Sequence, residues 1–255
     1  MKELHHKIIG EGDPVVIIHG LFGMSDNWGS FAKKLAESHM VILVDVRNHG
    51  RSPHTDTFTY REAADDIIRL LENNWIYKAS FIGHSMGGKI AMQLAADHPD
   101  FVINLVVVDI APVQYKGGHE TIIEALTAVD VGRAGSRKEV EEKLVQKLDD
   151  INIVRFLLKN LSREKGGGFR WKMNLELLAG AYETILDEAE LSVIDKPTLF
   201  IKGENSDYIN ELGIKKIKTL FTQYQLEEIP ESGHWIHADQ PEKLYDSIIA
   251  FLGGE

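Results

Sequence analysis

Short, unbroken apolar runs separated by amphipathic stretches set the rhythm of the chain. Val15-Val16-Ile17-Ile18 and residues 40–44 are apolar without alternation. Such a run suits a strand covered on both faces, as in a parallel sheet. Residues 27–35 read as a helix. Residues 60–73 place Ala64, Ile67, Ile68 and Leu71 on one stripe at helical spacing. A short strand through Phe81-Ile82 leads into the strongly helical run 89–96, which His98-Pro99 closes. Residues 102–109 form a further strand. Strand and helix alternating at this spacing predict a mostly parallel, doubly wound α/β sheet.

The rhythm changes after Ile110-Ala111-Pro112. Residues 113–190 carry no strand pattern. Their periodicity gives helices near 121–129, 137–148, 151–161 and 175–188, and Gly166-Gly167-Gly168 reads as a flexible joint. Thr198-Leu199-Phe200-Ile201 restores the strand pattern, 226–229 is the last strand and 241–252 the closing helix. The chain therefore divides into an α/β core, residues 1–112 and 191–255, and an inserted all-helical cap, residues 113–190. Its position late in the sheet makes it either a lid that shapes a pocket or a packing insertion.

Gly83-His84-Ser85-Met86-Gly87 stands between that short strand and its helix, matching the G-x-S-x-G elbow. The turn lifts the serine hydroxyl above the sheet and aims the N–H of Met86 at a developing oxyanion. A serine hydroxyl needs a base, and the base needs an acid to hold its tautomer. The loop after the last strand, Pro230-Glu231-Ser232-Gly233-His234-Trp235, supplies His234; His237, three residues on, would point elsewhere if that segment turns helical. Two acids compete. Asp109 ends an apolar strand, where an unpaired carboxylate would be costly, which favours it as the partner of His234, with Asp207 as the alternative acid. Asp207 follows the next strand, one position past Ser206, where many such enzymes carry their acid. The turn His19-Gly20-Leu21-Phe22-Gly23 offers the second oxyanion donor, the N–H of Leu21 or, alternatively, of Phe22. Phe22, Tyr115, Trp171 and Trp235 are candidates for lining a substrate pocket, although aromatic residues in a helical insert also build its core.

Composition narrows the partners. The chain has 255 residues, 44% hydrophobic and 26% charged, with a net charge of -11. That charge argues against nucleic acid and anionic membrane surfaces. With no cysteine there is no disulfide, thiolate metal site or cysteine nucleophile. His5 and His6 lack an evident third metal ligand, and Lys215, Lys216 and Lys218 read as a solvated face. No apolar run spans a bilayer and no apolar signal core is seen near Met1. The expectation is a soluble, cytoplasmic protein without a metal site.

The stretches His19 to Gly23, Val44-Asp45-Val46-Arg47-Asn48-His49-Gly50, Phe81 to Lys89, Val108-Asp109-Ile110-Ala111-Pro112-Val113, Gly203-Glu204-Asn205-Ser206 and Gly233 to Ala238 together resemble the α/β-hydrolase superfamily, in particular the bacterial YbfF-type esterases. The resemblance runs over nearly the whole chain. It implies a serine esterase or thioesterase with a helical cap, no cofactor, and simple esters or acyl-CoA thioesters as substrates. It also implies that the aspartate of the Asp-Ile-Ala-Pro run, Asp109, is the acid. Two other functions fit the same residues. A cofactor-free lyase of the menaquinone-pathway type would need a basic pocket, for which Arg133, Arg137, Arg155, Arg163 and Arg170 lie in the right segment. A ligand-binding receptor would keep a vestigial triad.

Overall fold

A computed structural model describes residues 3–253. The chain runs β1 (His6–Ile9), β2 (Pro14–Ile18), α1 (Gly29–Leu35), β3 (Met40–Val44), α2 (Tyr60–Asn73), β4 (Ala79–His84), α3 (Met86–Asp97) and β5 (Val102–Val108). An inserted stretch follows: α4 (Glu120–Ala128), α5 (Arg137–Val145), α6 (Ile151–Leu158), β6 (Leu161–Arg163), β7 (Phe169–Trp171), α7 (Leu175–Gly180) and α8 (Tyr182–Leu186). The chain then closes with β8 (Thr198–Gly203), α9 (Glu211–Leu220), β9 (Tyr224–Ile229), α10 (Ile236–Asp239) and α11 (Pro241–Leu252).

Seven strands form one sheet in the order β1-β3-β2-β4-β5-β8-β9, parallel except for β1. The apolar runs become its central strands because both faces are covered. On one side Phe81, Leu105 and Phe200 pack under α2 and α3. On the other, Val15, Ile82 and Val106 meet residues of α1 and α11. The stripe on α2 is buried throughout, and Thr59 caps that helix by accepting from the Glu62 N–H at 3.1 Å. Chain order reverses between β2 and β4, so the loops leaving the parallel strands diverge there and open a crevice at their carboxyl ends.

Two strand features depart from the pattern read above. β1 pairs antiparallel with β3 at the edge, with His6 opposite Val44. It is only half-covered, so its four residues lack the apolar run of an inner strand. The inserted stretch is not wholly helical, because Leu161–Arg163 and Phe169–Trp171 pair as a hairpin. Three residues per strand are too few to show a period of two. The glycines between them form the hairpin turn, with Gly167 and Gly168 at φ +97° and +72°. The helix read at 175–188 is two short ones, α7 and α8.

The inserted stretch leaves after β5, returns before β8 and is pinned to the core near the crevice. Asn160 Nδ2 donates to the carbonyl of Phe22 at 2.6 Å, and the Asn174 N–H donates to that of Asn48 at 2.8 Å. Tyr60 Oη donates to Ile185 O. Among the described residues no helix is long and apolar enough to cross a membrane.

Candidate active site

Ser85 caps α3 at φ 54°, ψ -123°, a left-handed backbone that L-residues rarely adopt. Its neighbours have to be glycine. A Cβ on Gly83 would sit 2.3 Å from the carbonyl oxygen of Gly87, and one on Gly87 2.3 Å from that of Ile18. The turn is further held by the Ser85 N–H donating to Val108 O at 2.9 Å. The result is a serine hydroxyl standing at the centre of the crevice.

His234 arrives from the loop between β9 and α10. Its Nε2 lies 3.0 Å from Ser85 Oγ and its Nδ1 2.7 Å from Asp109 Oδ2. Asp109 leaves β5 at φ 52° and is fully buried. Its Oδ1 accepts from the Gly203 N–H at 3.0 Å, and Ser206 Oγ donates to its Oδ2. The buried carboxylate is therefore fully partnered. The ring of His234 is gripped on one face by Tyr208, stacked at 3.8 Å and 15°, and its backbone carbonyl accepts from His84 Nε2 at 2.8 Å. Asp207 is exposed, while its neighbour Ser206 is buried and donates to Asp109. His237 turns away on α10 and stacks on Trp28 at 4.6 Å.

Among the described residues, the N–H groups of Leu21 and Met86 have no protein acceptor, and both residues border the space in front of Ser85 Oγ. Two cavities meet there. One lies between Phe22, Trp28, His119, Phe156 and Trp235 and opens past Arg155 and Lys159 to solvent. The other is apolar and aromatic, walled by Tyr60, Tyr115, Tyr182, Ile185 and Leu186. Phe22, Tyr115 and Trp235 thus border the cavities. Trp171 lines neither of them; it pairs across the hairpin with Leu161 and packs against the core. Tyr208 and His119 were not legible as site residues. Both lie in loops with no motif of their own: Tyr208 reaches His234 from the loop between β8 and α9, and His119 reaches the same cavity from the inserted stretch.

The histidines around the site are held neutral. His19 Nδ1 donates to Gly20 O at 2.8 Å while its Nε2 accepts from the Val46 N–H at 3.0 Å, so a second ring proton would break a bond. Burial lowers the pKa of His19 and holds that of His84 well below its usual value. Burial, with His19 beside it, brings His49 down to about 3. The sign follows directly. Below pH 6.5 the unfolded chain protonates these rings and the native one does not, so stability present above pH 6.5 is lost as pH falls toward their native pKa values. At pH 5 His49 alone costs about 2 kcal/mol, and the others add in the same direction. The melting temperature is expected to drop by about 5 °C or more between pH 7 and pH 5; a flat profile over that interval would contradict the neutral assignment.

Among the described residues, no three His, Cys, Asp or Glu side chains are arranged to hold a metal ion. A family model for the alpha/beta hydrolase fold matches residues 13–241. The sn-1-specific diacylglycerol lipase ABHD11 of Danio rerio is 39% identical over 253 residues, which cover 95% of this chain and 79% of that protein. Esterase YbfF of Escherichia coli strain K12 is 37% identical over 240 residues, covering 94% of this chain and 92% of its own. A solved structure described as a marine microorganism esterase superposes with a TM-score of 0.96 at 40% identity, over 98% of this chain and 99% of its own. With its elbow at the crevice of a doubly wound sheet, the chain belongs to the α/β-hydrolase-fold family.

Proposed function

We propose that the protein is a carboxylic ester hydrolase working through an acyl-enzyme on Ser85, with residues 113–190 as the cap that shapes its pocket. The observation that carries this reading is the continuous relay Ser85 Oγ–His234–Asp109, at 3.0 and 2.7 Å, at the junction of two cavities. The names of the relatives, esterase and lipase, point the same way.

In this mechanism His234 Nε2 takes the proton of Ser85 Oγ as the oxygen attacks the ester carbonyl. Asp109 keeps the other ring proton on Nδ1 and stabilises the imidazolium; Gly203 and Ser206 keep the carboxylate still. The N–H groups of Leu21 and Met86 receive the oxyanion. His234 then gives its proton to the leaving alcohol, or to a thiol if a thioester is bound. A water deprotonated by the same ring cleaves the acyl-enzyme and restores Ser85. The stack of Tyr208 on His234 fixes the plane in which the ring shuttles the proton.

The lyase reading draws no support from the arginines of the cap. Arg133 pairs with Asp130, Arg170 with Glu164, and Arg137 donates to Leu158 O; of the five only Arg155 comes near, at the outer mouth of the first cavity, and one arginine there does not make a basic pocket at Ser85.

The test is turnover of p-nitrophenyl acetate, butyrate and octanoate together with labelling by a fluorophosphonate. Acetate and butyrate are expected to be cleaved faster than octanoate, because the apolar cavity beside Ser85 is walled in by Tyr60, Ile185 and Leu186. Silence on all three esters and no label on Ser85 would reject the reading.

A further inference from the structure

Lys89 lies one helical turn beyond Ser85 on α3 and lines the same apolar cavity. It is 1% exposed. An ammonium has three N–H donors. Two are used, on the carbonyls of Leu186 at 3.0 Å and Asp187 at 2.5 Å. The rings of Tyr115 and Tyr60 stand 4.9 and 5.5 Å from Nζ. No carboxylate among the described residues pairs with it. The two acids that act on it from further away are engaged elsewhere: Asp187 accepts from Gln114 at 2.8 Å, and Glu188 pairs with Lys216 at 3.3 Å.

A buried cation whose partners are all neutral is expensive, and an apolar side chain would fill the same place at lower cost. Burial accordingly brings the Lys89 ammonium down to about 7. What the wall lacks is an anion, and the space it faces opens on Ser85 Oγ. A carboxylate arriving from that end would complete the third hydrogen bond in its charge-assisted form. The rest of the cavity is apolar, suited to methylenes.

We propose that Lys89 is a specificity-determining residue whose ammonium binds the distal carboxylate of the acyl group, so that the preferred substrates are half-esters of short dicarboxylic acids. This rests on the ester-hydrolase reading above. The acyl carbonyl sits at Ser85, a few methylenes cross between Tyr115 and Ile185, and the far carboxylate meets Nζ. No reacting bond involves Lys89.

The experiment compares the mono-p-nitrophenyl esters of succinic, glutaric and adipic acid with p-nitrophenyl butyrate, pentanoate and hexanoate, pair by pair, after subtraction of the uncatalysed rate. At pH 6.5 the wild type should favour at least one half-ester over its plain partner by about tenfold or more in kcat/KM, the worth of one charged hydrogen bond. In Lys89→Met that ratio should collapse to one or below. A wild type that favours the plain ester in all three pairs overturns the proposal even if the variant fails to fold. So does a folded Lys89→Met with an unchanged ratio, which would leave Lys89 only fastening the 186–187 backbone. A wild type that cleaves neither series counts against the ester-hydrolase reading alone. Calorimetric titration of Ser85→Ala with the same pairs then decides the site. Tighter binding of a half-ester that is lost in the Ser85→Ala, Lys89→Met double variant supports it, and equal binding rejects it.

Discussion

Ser85→Ala is expected to lower kcat for p-nitrophenyl butyrate by roughly a million-fold, the scale on which removing the nucleophile disables such a relay. His234 Nε2 accepts from Ser85 Oγ at 3.0 Å, and among the described residues no other hydroxyl is hydrogen-bonded to it. Alanine keeps the Cβ, so the backbone strain at φ 54°, ψ -123° stays and the fold should be unaffected. Ser85→Gly separates the two properties. It should be equally inactive, yet it relieves a conformation that costs a serine about 1–3 kcal/mol, which corresponds to a melting temperature higher by several degrees. Calorimetry on the three proteins checks this alongside turnover. An inactive glycine variant that melts lower than wild type would show that the elbow is not strained. Residual turnover near the wild-type rate in Ser85→Ala would point to another nucleophile.

Asp109→Asn should cost about ten-thousand-fold in kcat, with Asp207→Asn close to wild type. The argument turns on which way the amide must face. The Gly203 N–H points at Oδ1, so the asparagine has to keep its oxygen there. Its NH2 then replaces Oδ2 and meets His234 Nδ1. Ser206 Oγ can accommodate this by accepting instead of donating, and the variant should fold. The ring cannot: facing a donor, it must carry its proton on Nε2, where it can no longer accept from Ser85. The loss should therefore lie in kcat, with KM little changed. Asp207 is exposed and the ring's Nδ1 is already bonded to Asp109, so Asp207→Asn should change neither parameter. A collapse in Asp207→Asn with an active Asp109→Asn would reverse the assignment of the acid.

Much of the scaffold was legible because its signals are local. The runs at 40–44, 60–73 and 241–252 coincide with β3, α2 and α11 because each is a complete hydrophobic pattern with its own ends, Thr59 and Pro241 among them. The edge strand β1 and the hairpin of β6 and β7 carry no such pattern. Their four and three residues become strands only because a partner strand receives their backbone groups. The aromatic residues divide in the same way. Tyr115 and Trp171 look alike in a helical insert, yet of the two only Tyr115 lines a cavity at Ser85, while Trp171 sits in the hairpin and packs against the core.

The order serine, aspartate, histidine and the strand endings that carry them are matters of neighbouring residues, and they stand in the chain for anyone to read. Burial favours Asp109 over Asp207 in the sequence too, but how it meets the ring is not local. Asp109 does so because φ 52° turns its carboxylate toward Gly203 and Ser206, nearly a hundred positions on, and His234 closes on Ser85 across a separation of 149 residues. The meaning of Lys89 likewise depends on α8 covering it and on Gln114 and Lys216 occupying the acids that would otherwise neutralise it. Propensity and periodicity act over a turn or a strand, whereas pairing, burial and charge compensation are set by residues the fold brings together from far along the chain.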